Sequence, residues 1–303
     1  MRITLIHNPG AGDQAQPQAA ELVAIIDAAG HEVRYVSCTG DDWQAALGES
    51  ADLVVVAGGD GTVGRVAKAL VGRNLPFTTL PLGTANNISR TLGLAETPLA
   101  QLAAGWNAAR HVWFDVGIAR GPWGVCHFIE GFGAGLFACT MPEADASRTL
   151  DNLTETEAKV AYALQMLRDR LGNCAAQALA VKLDGRDLSG DYVLVEAMNM
   201  QYVGPNLYLA PDCDLRDGLL DVVLVPFAQR GRLLRYLSEW QNGMLWPPDL
   251  PTYRGERLEL EWTGYEVHID DRVWPERGGA PVAARGRIEV TLQRDALRFL
   301  VPG

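Results

Sequence analysis

Five apolar residues in succession, Leu53-Val54-Val55-Val56-Ala57, run directly into Gly58-Gly59-Asp60-Gly61-Thr62. Such a run, with no polar residue at alternate positions, suits a strand buried on both faces of a parallel sheet. Gly58, Gly59 and Gly61 lack Cβ atoms, so the turn can take φ > 0 and bring its N–H groups close to an anion. A helix expected to start at Thr62 adds its positive end, which suits phosphate. Asp60 would repel a bare phosphate, and so points to a Mg²⁺ shared with that phosphate. The plain alternative is an ordinary strand-to-helix turn, which accounts for the glycines but not for Asp60 among them.

The same unit recurs through the amino-terminal third. Ile3 to His7 is an apolar strand that delivers Asn8-Pro9-Gly10-Ala11-Gly12. Residues 17–29 place Leu22, Ile25 and Ile26 on one helix face, Gly30 stops that helix, and Val33 to Val36 is the next strand. A further strand over 77–81 leads into Gly83-Thr84-Ala85-Asn86-Asn87, which opens a helix ending near Gly93. Alternation of this kind builds a doubly wound parallel sheet, whose ligand lies at the carboxyl ends of the strands. Past about residue 115 the pattern changes. Apolar stretches at 124–129, 178–183, 191–198, 219–225, 257–262, 266–269 and 287–292 read as an antiparallel sandwich. One helix is expected over 155–171, with Val160, Ala163, Leu164, Leu167 and Leu171 on a common face, and 141–157 reads as a solvated loop.

Composition excludes several classes. A net charge of −11 argues against nucleic acid as the partner, and against binding anionic membranes through bulk charge. The five cysteines (38, 126, 139, 174, 213) are scattered without a Cys-x-x-Cys pair, which fits a reduced cytoplasmic setting. The five histidines lack metal-ligand spacing, and His7 reads as structural. The start of the chain is too short in apolar residues for a signal peptide, and no run approaches the roughly 18 residues of a membrane span. A soluble protein is expected.

Asn8-Pro9, the Gly58–Thr62 turn and Pro81-Leu82-Gly83-Thr84-Ala85-Asn86 together resemble the diacylglycerol kinase catalytic domain, a family that includes bacterial soluble lipid kinases and the sphingosine and ceramide kinases. A second block agrees: Val203-Gly204-Pro205-Asn206, Ala210-Pro211-Asp212 and Asp217-Gly218-Leu219-Leu220-Asp221-Val222. The resemblance implies an NAD kinase- and phosphofructokinase-like α/β domain over 1–117, to which 295–303 returns, and a β-sandwich substrate domain over 118–294. It implies that Asn8, Thr39 and Gly58, Gly59, Asp60, Gly61, Thr62, Val63 and Gly64 surround ATP, with Thr84 near its phosphates. At Thr39 a helix cap before Asp41-Asp42 is the competing role. Asp60 and Asp115 would act on Mg²⁺. A second, structural Mg²⁺ is implied around Asp214, Asp217 and Leu219, against a plain Asp-Gly turn.

Three departures from the family pattern stand out. Asn87 replaces a frequent Asp, and Glu130 stands where many relatives carry Asn. Near residue 270 the family has Asp-Gly-Glu, its glutamate assigned as proton acceptor, whereas this chain reads Asp270-Asp271-Arg272. Arginine is not deprotonated in proteins and cannot be that base. Asp270 is the expected substitute, with Asp271 and Glu276 as further candidates; alternatively Arg272 pairs with Asp270 or Asp271 and the site is silent.

The reading is therefore an ATP- and Mg²⁺-dependent lipid kinase, cytoplasmic and transiently at the inner face of the membrane, with diacylglycerol as the default acceptor. An NAD kinase-like enzyme and a catalytically impaired nucleotide- or lipid-binding protein are the alternatives; homodimerisation stays open. For the membrane contact, Arg230, Arg232 and Arg235 stand beside Leu233, Leu234, Leu237 and Trp240, followed by Trp246 and Pro247-Pro248. That stretch suits either a shallow interfacial contact or a helix packed on the sandwich.

Overall fold

A computed structural model describes every residue except Gln14, Asp41, Asp42, Leu245, 277–284 and Gly303. Two compact units divide the chain: Met1–Phe114 with Thr154–Thr156 and Asp295–Gly303, and Asp115–Leu153 with Glu157–Arg294. In chain order the first third holds β1 (Arg2–His7), α1 (Ala19–Ala28), β2 (Glu32–Ser37), α2 (Trp43–Ala46), β3 (Leu53–Gly58), α3 (Asp60–Leu70), β4 (Phe77–Pro81), α4 (Asn87–Thr91) and α5 (Leu99–Gly105). Next come β5 (Arg110–Gly121), β6 (Gly124–Phe128), β7 (Gly131–Gly135), α6 (Leu136–Asp145), α7 (Arg148–Asn152) and α8 (Thr156–Asn173). The remainder is β8 (Gln177–Leu179), β9 (Val181–Leu183), β10 (Arg186–Asp187), β11 (Gly190–Met198), β12 (Tyr202–Val203), β13 (Leu207–Tyr208), β14 (Leu220–Pro226), α9 (Arg230–Gln241), β15 (Thr252–Gly255), β16 (Arg257–Trp262), β17 (Val267–Ile269), β18 (Arg272–Trp274) and β19 (Gly286–Val301).

The first unit is a parallel sheet in the order β2-β1-β3-β4, extended by the end of β19 through Phe299 beside Phe77. All of Leu53 to Ala57 is buried, as a central strand covered on both faces requires. Strand order reverses between β1 and β3, and a crevice at that switch point is the standard ligand position of open α/β sheets. The helix after β3 starts at Asp60, two residues before the expected Thr62. Asp60 is therefore the first helical residue, where a carboxylate meets the positive helix end.

In the second unit one antiparallel sheet runs β15-β14-β11-β7-β17-β18, with β8 on β11. A second runs β10-β9-β16-β19, with β5 and β6 paired alongside. Val195, Ala197, Leu220, Val222 and Leu224 of the first sheet pack with Val181, Leu258, Leu260, Trp262, Ile288 and Val290 of the other. That is the expected sandwich. By strand alternation the other face presents Leu194, Met198, Val223 and Val225, covered by Leu164, Leu167 and Leu171 of α8 and by Leu233, Leu237 and Trp240 of α9.

Two further expectations are corrected, and one alternative is resolved. The 141–157 stretch is helical for much of its length, because α6 is anchored by buried Leu136 and Phe137 and runs on to Asp145, and Ser147 caps α7 through the Leu150 N–H at 3.3 Å. Its polar sequence gave no periodicity, and no residue of α7 is buried. The 178–183 run is two strands, split at Ala180, that pair in different sheets. Trp240 belongs to the buried face of α9, whereas Trp246 is 67 % exposed.

Candidate active site

In the first unit the turns after β1, β3 and β4 lock into one another. The Asn8 side-chain amide donates from Nδ2 to Thr62 Oγ1 at 3.0 Å, while its Oδ1 accepts the Gly10 N–H at 3.1 Å. Leu82 N–H donates to the Gly58 carbonyl at 3.1 Å. A Cβ on Gly83 would lie 2.3 Å from Gly59 Cα, and one on Gly12 would lie 2.1 Å from the Leu82 carbonyl oxygen. Only glycine permits backbone this close. Asn86, at φ 54°, closes the third turn by accepting the Gly83 N–H and donating to the Gly83 carbonyl, both at 2.8 Å.

Asp60 ties the second turn to the third, since its Oδ1 accepts the Ile88 N–H at 3.0 Å at the start of α4. Burial raises the pKa of this carboxyl, opposed by backbone donors at Ile88, Asn87 and Asn86. Thr84 sits half-buried in the Gly83–Asn86 turn, and Gly61 is exposed. Val63 and Gly64 lie on the buried side of α3. Exposed Thr39 shares a hydrogen bond with Ser37 Oγ at 2.8 Å; the cap role before Asp41-Asp42 falls outside the described residues.

In the second unit Asp270 occupies the β17–β18 turn at φ 50°. Its Oδ1 accepts N–H groups from Ile129, Glu130 and Gly131 at 3.0, 2.9 and 3.4 Å, and the Ile129 N–H also reaches Oδ2 at 3.1 Å. Two of the three positions where the sequence departs from the family pattern, 130 and 272, are thus brought to one turn. Arg272 is exposed at the start of β18. Behind the turn, His268 Nε2 meets Glu196 Oε2 at 2.8 Å and His268 Nδ1 meets the Asp270 carbonyl at 3.1 Å. Glu196 is 0 % and His268 2 % exposed. A Cβ on Gly133 would fall 1.9 Å from the Glu196 carboxylate, so β7 carries glycine to make room for the pair. Burial lowers the His268 pKa, but Glu196 and the Asp270 carbonyl more than offset this, and the net direction is upward.

Asp115, expected beside the Asp60 metal, and Asp214 and Asp217, expected at the second Mg²⁺, each have protein partners. Asp115 is fully buried; its Oδ2 accepts the Gly218 N–H at 2.9 Å and its N–H donates to the Leu215 carbonyl at 2.8 Å. Asp214 accepts from the Arg216 N–H at 3.1 Å and pairs with its Nε at 3.4 Å. Asp217 Oδ1 accepts the Leu219 N–H at 2.8 Å, and Oδ2 is paired with Arg254. Among the described residues no group of three or more His, Cys, Asp or Glu is placed to hold a metal.

Sequence reasoning missed Glu196, His268, Asp221 and Arg254. A signal was present: Glu196 is a lone charge inside Val193–Met198, Asp221 stands among apolar neighbours in Leu219–Val225, and His268 lies between Val267 and Ile269. A charge inside a buried strand requires a partner, although the sequence does not say which.

Comparison with known proteins gives two family matches: the diacylglycerol kinase catalytic domain over residues 2–115, and the YegS C-terminal NAD kinase beta sandwich-like domain over 140–287. A "Probable lipid kinase YegS-like" protein of Pseudomonas aeruginosa (strain UCBPP-PA14) is 30 % identical over 235 residues, 75 % of this chain and 72 % of that one. A diacylglycerol kinase of Mycobacterium tuberculosis (strain CDC 1551 / Oshkosh) is 24 % identical over 287 residues, covering 89 % and 88 %. The crystal structure of a diacylglycerol kinase from Bacillus anthracis str. Sterne superposes with a TM-score of 0.69 at 20 % identity, covering 99 % of this chain and 96 % of that one.

Proposed function

Because the chain belongs to the family of diacylglycerol kinases and YegS-like lipid kinases, we propose that it transfers the γ-phosphoryl group of ATP to a hydroxyl of a membrane lipid, with diacylglycerol the first acceptor to test. The observation that carries this reading is the interlocking of three glycine turns at the carboxyl ends of β1, β3 and β4. Backbone N–H groups at such turns bind phosphate, and their fixed orientation stabilises charge that develops during transfer.

In the reaction the lipid hydroxyl oxygen forms a bond to the γ-phosphorus, the bond to the β–γ bridging oxygen breaks, and ADP leaves with that electron pair. The hydroxyl proton passes to a carboxylate, for which Asp270 Oδ2 is our candidate; the backbone donors on Oδ1 fix the group in place. Mg²⁺ typically takes one or two carboxylates and completes its shell with nucleotide phosphates and water, so the single carboxylate of Asp60 fits it without a protein cage. Bound there, the metal would offset phosphate charge.

Arg272 favours a second reading, a nucleotide- or lipid-binding protein with impaired transfer, because a cation stands where the family carries its base. Turnover of γ-labelled ATP on vesicles holding a panel of lipids, with NAD as a control acceptor, separates the readings. Labelled phosphatidic acid or another phospholipid is the expected product; label in NADP, or none anywhere, overturns the proposal.

A further inference from the structure

The loop 212–221 reads Asp-Cys-Asp-Leu-Arg-Asp-Gly-Leu-Leu-Asp, with four carboxylates in ten residues. Four acids so close together repel one another unless a cation stands among them. The family leads one to expect Mg²⁺. We infer that the guanidinium of Arg254 is that cation, so that this part of the fold needs no divalent metal.

Register places it. β14 and β15 pair antiparallel with Asp221 directly opposite Arg254. Arg254 Nε lies 3.3 Å from Asp221 Oδ1, and its Nη2 is paired with Asp217 Oδ2. One planar group with five donors in a fixed fork thereby spans two carboxylates, one of them 1 % exposed. Other polar groups of the loop are held by protein, while the buried Asp221 Oδ2 is left without a hydrogen-bond partner among the described residues. Arg216 holds Asp214, the Leu219 N–H holds Asp217 Oδ1, and the Gly218 N–H holds Asp115 Oδ2. Gly218, at φ 73°, lets a second guanidinium approach the loop: a Cβ there would lie 2.1 Å from Arg294 Nε.

Mg²⁺ demands near-octahedral oxygen ligation at about 2.0–2.1 Å and gives up its water reluctantly. To enter, it would have to displace a guanidinium that stays charged at every accessible pH. On the kinase reading above, any Mg²⁺ requirement of the reaction then reports the metal that travels with the nucleotide. The loop's own requirement is independent of that reading.

Thermal melts of the full chain test this. Nucleotide-free protein stripped with EDTA should melt at the same temperature with and without millimolar Mg²⁺. Arg254→Met, similar in length but uncharged, should melt several degrees lower and recover part of the loss in Mg²⁺. Arg254→Lys, which keeps the charge, should fall much less than Arg254→Met. A wild-type melting temperature that rises with Mg²⁺ overturns the inference, as does an Arg254→Met protein as stable as wild type, or equal losses for Met and Lys. Should the Met variant fail to fold, Mn²⁺ binding to wild type by electron paramagnetic resonance decides. One bound ion lost on Asp217→Asn defeats the proposal, and no ion dependent on Asp217 upholds it.

Discussion

Asp60 has two tasks at once. It is the acidic group of the turn proposed to bind phosphate, and its Oδ1 holds the Ile88 N–H at the start of α4. Asp60→Ala should therefore abolish phosphoryl transfer and also lower stability, by about 1–3 kcal/mol for a donor left without its acceptor. Parallel kinase assays and melts check both, and a folded variant with full activity would remove Asp60 from the site. Asp270 and Arg272 form the second test. A positioned base contributes roughly 10²- to 10⁴-fold to a rate, so Asp270→Asn should cut kcat by about that factor, while Arg272→Glu, which restores the family's carboxylate, should raise it. If neither substitution moves kcat, the proton leaves by another route.

Among the elements, β7, β11 and β17 together bury an ionisable pair. Leu194, Glu196 and Met198 share one side of β11, and glycines at 131 and 133 clear the space into which Glu196 and His268 fit. The pair lies behind the turn that carries Asp270, and the His268 ring meets the Asp270 carbonyl directly. Folding raises the pKa of His268 above its ordinary value of 6.5. The folded state thus holds this proton more tightly than the unfolded chain does, and the resulting stability is full below pH 6.5 and lost as pH rises through the folded pKa. Wild type should accordingly lose more stability than His268→Gln between pH 6 and pH 9, read as melting temperature against pH; parallel curves would count against a charged pair. Removing one partner of a buried pair costs about 3–5 kcal/mol, so His268→Gln should start from a lower melting temperature throughout.

At the scale of the whole molecule, an acidic protein with a net charge of −11 must meet a lipid surface locally. Among the described residues no helix is long and apolar enough to cross a membrane. Of the five exposed large hydrophobics among the described residues, Leu234, Met244 and Trp246 fall within thirteen residues, together with exposed Arg230 and Arg235. The Arg232–Asp249 ion pair brings the chain after α9 back toward the start of that helix. We propose this segment as the bilayer contact, Trp and Arg being suited to the interface. Met244→Ala with Trp246→Ala should reduce co-sedimentation with anionic vesicles at unchanged melting temperature; equal binding would reject it. Trp240→Ala is the contrast, since that ring is buried and its loss should cost about 3–5 kcal/mol of stability.

The sequence by itself determined the parallel sheet, the sandwich and the three glycine turns. Each rests on local constraint. Leu53–Ala57 has no polar side on which to meet water, and Gly59, Gly83 and Gly12 stand where a Cβ would collide with a neighbouring turn. Apolar stretches separated by turns located strands of the second unit, among them Gly190–Met198 and Arg257–Trp262. Helices α6 and α7 escaped because their polar stretch carries no period, and the one near Thr62 was placed late because its cap is the glycine turn itself. Only the tertiary structure decided the partnerships of the buried charges. Glu196 finds His268 from 72 residues away, Asp115 finds Gly218 from 103, and Asp217 finds Arg254 from 37. Tertiary packing makes these partnerships, and strand register does so directly where Asp221 stands opposite Arg254, since a one-residue slip would turn that side chain to the opposite face. Whether a run of aspartates holds a metal or an arginine is settled by the residue opposite on the next strand, which a linear reading of the chain does not reveal.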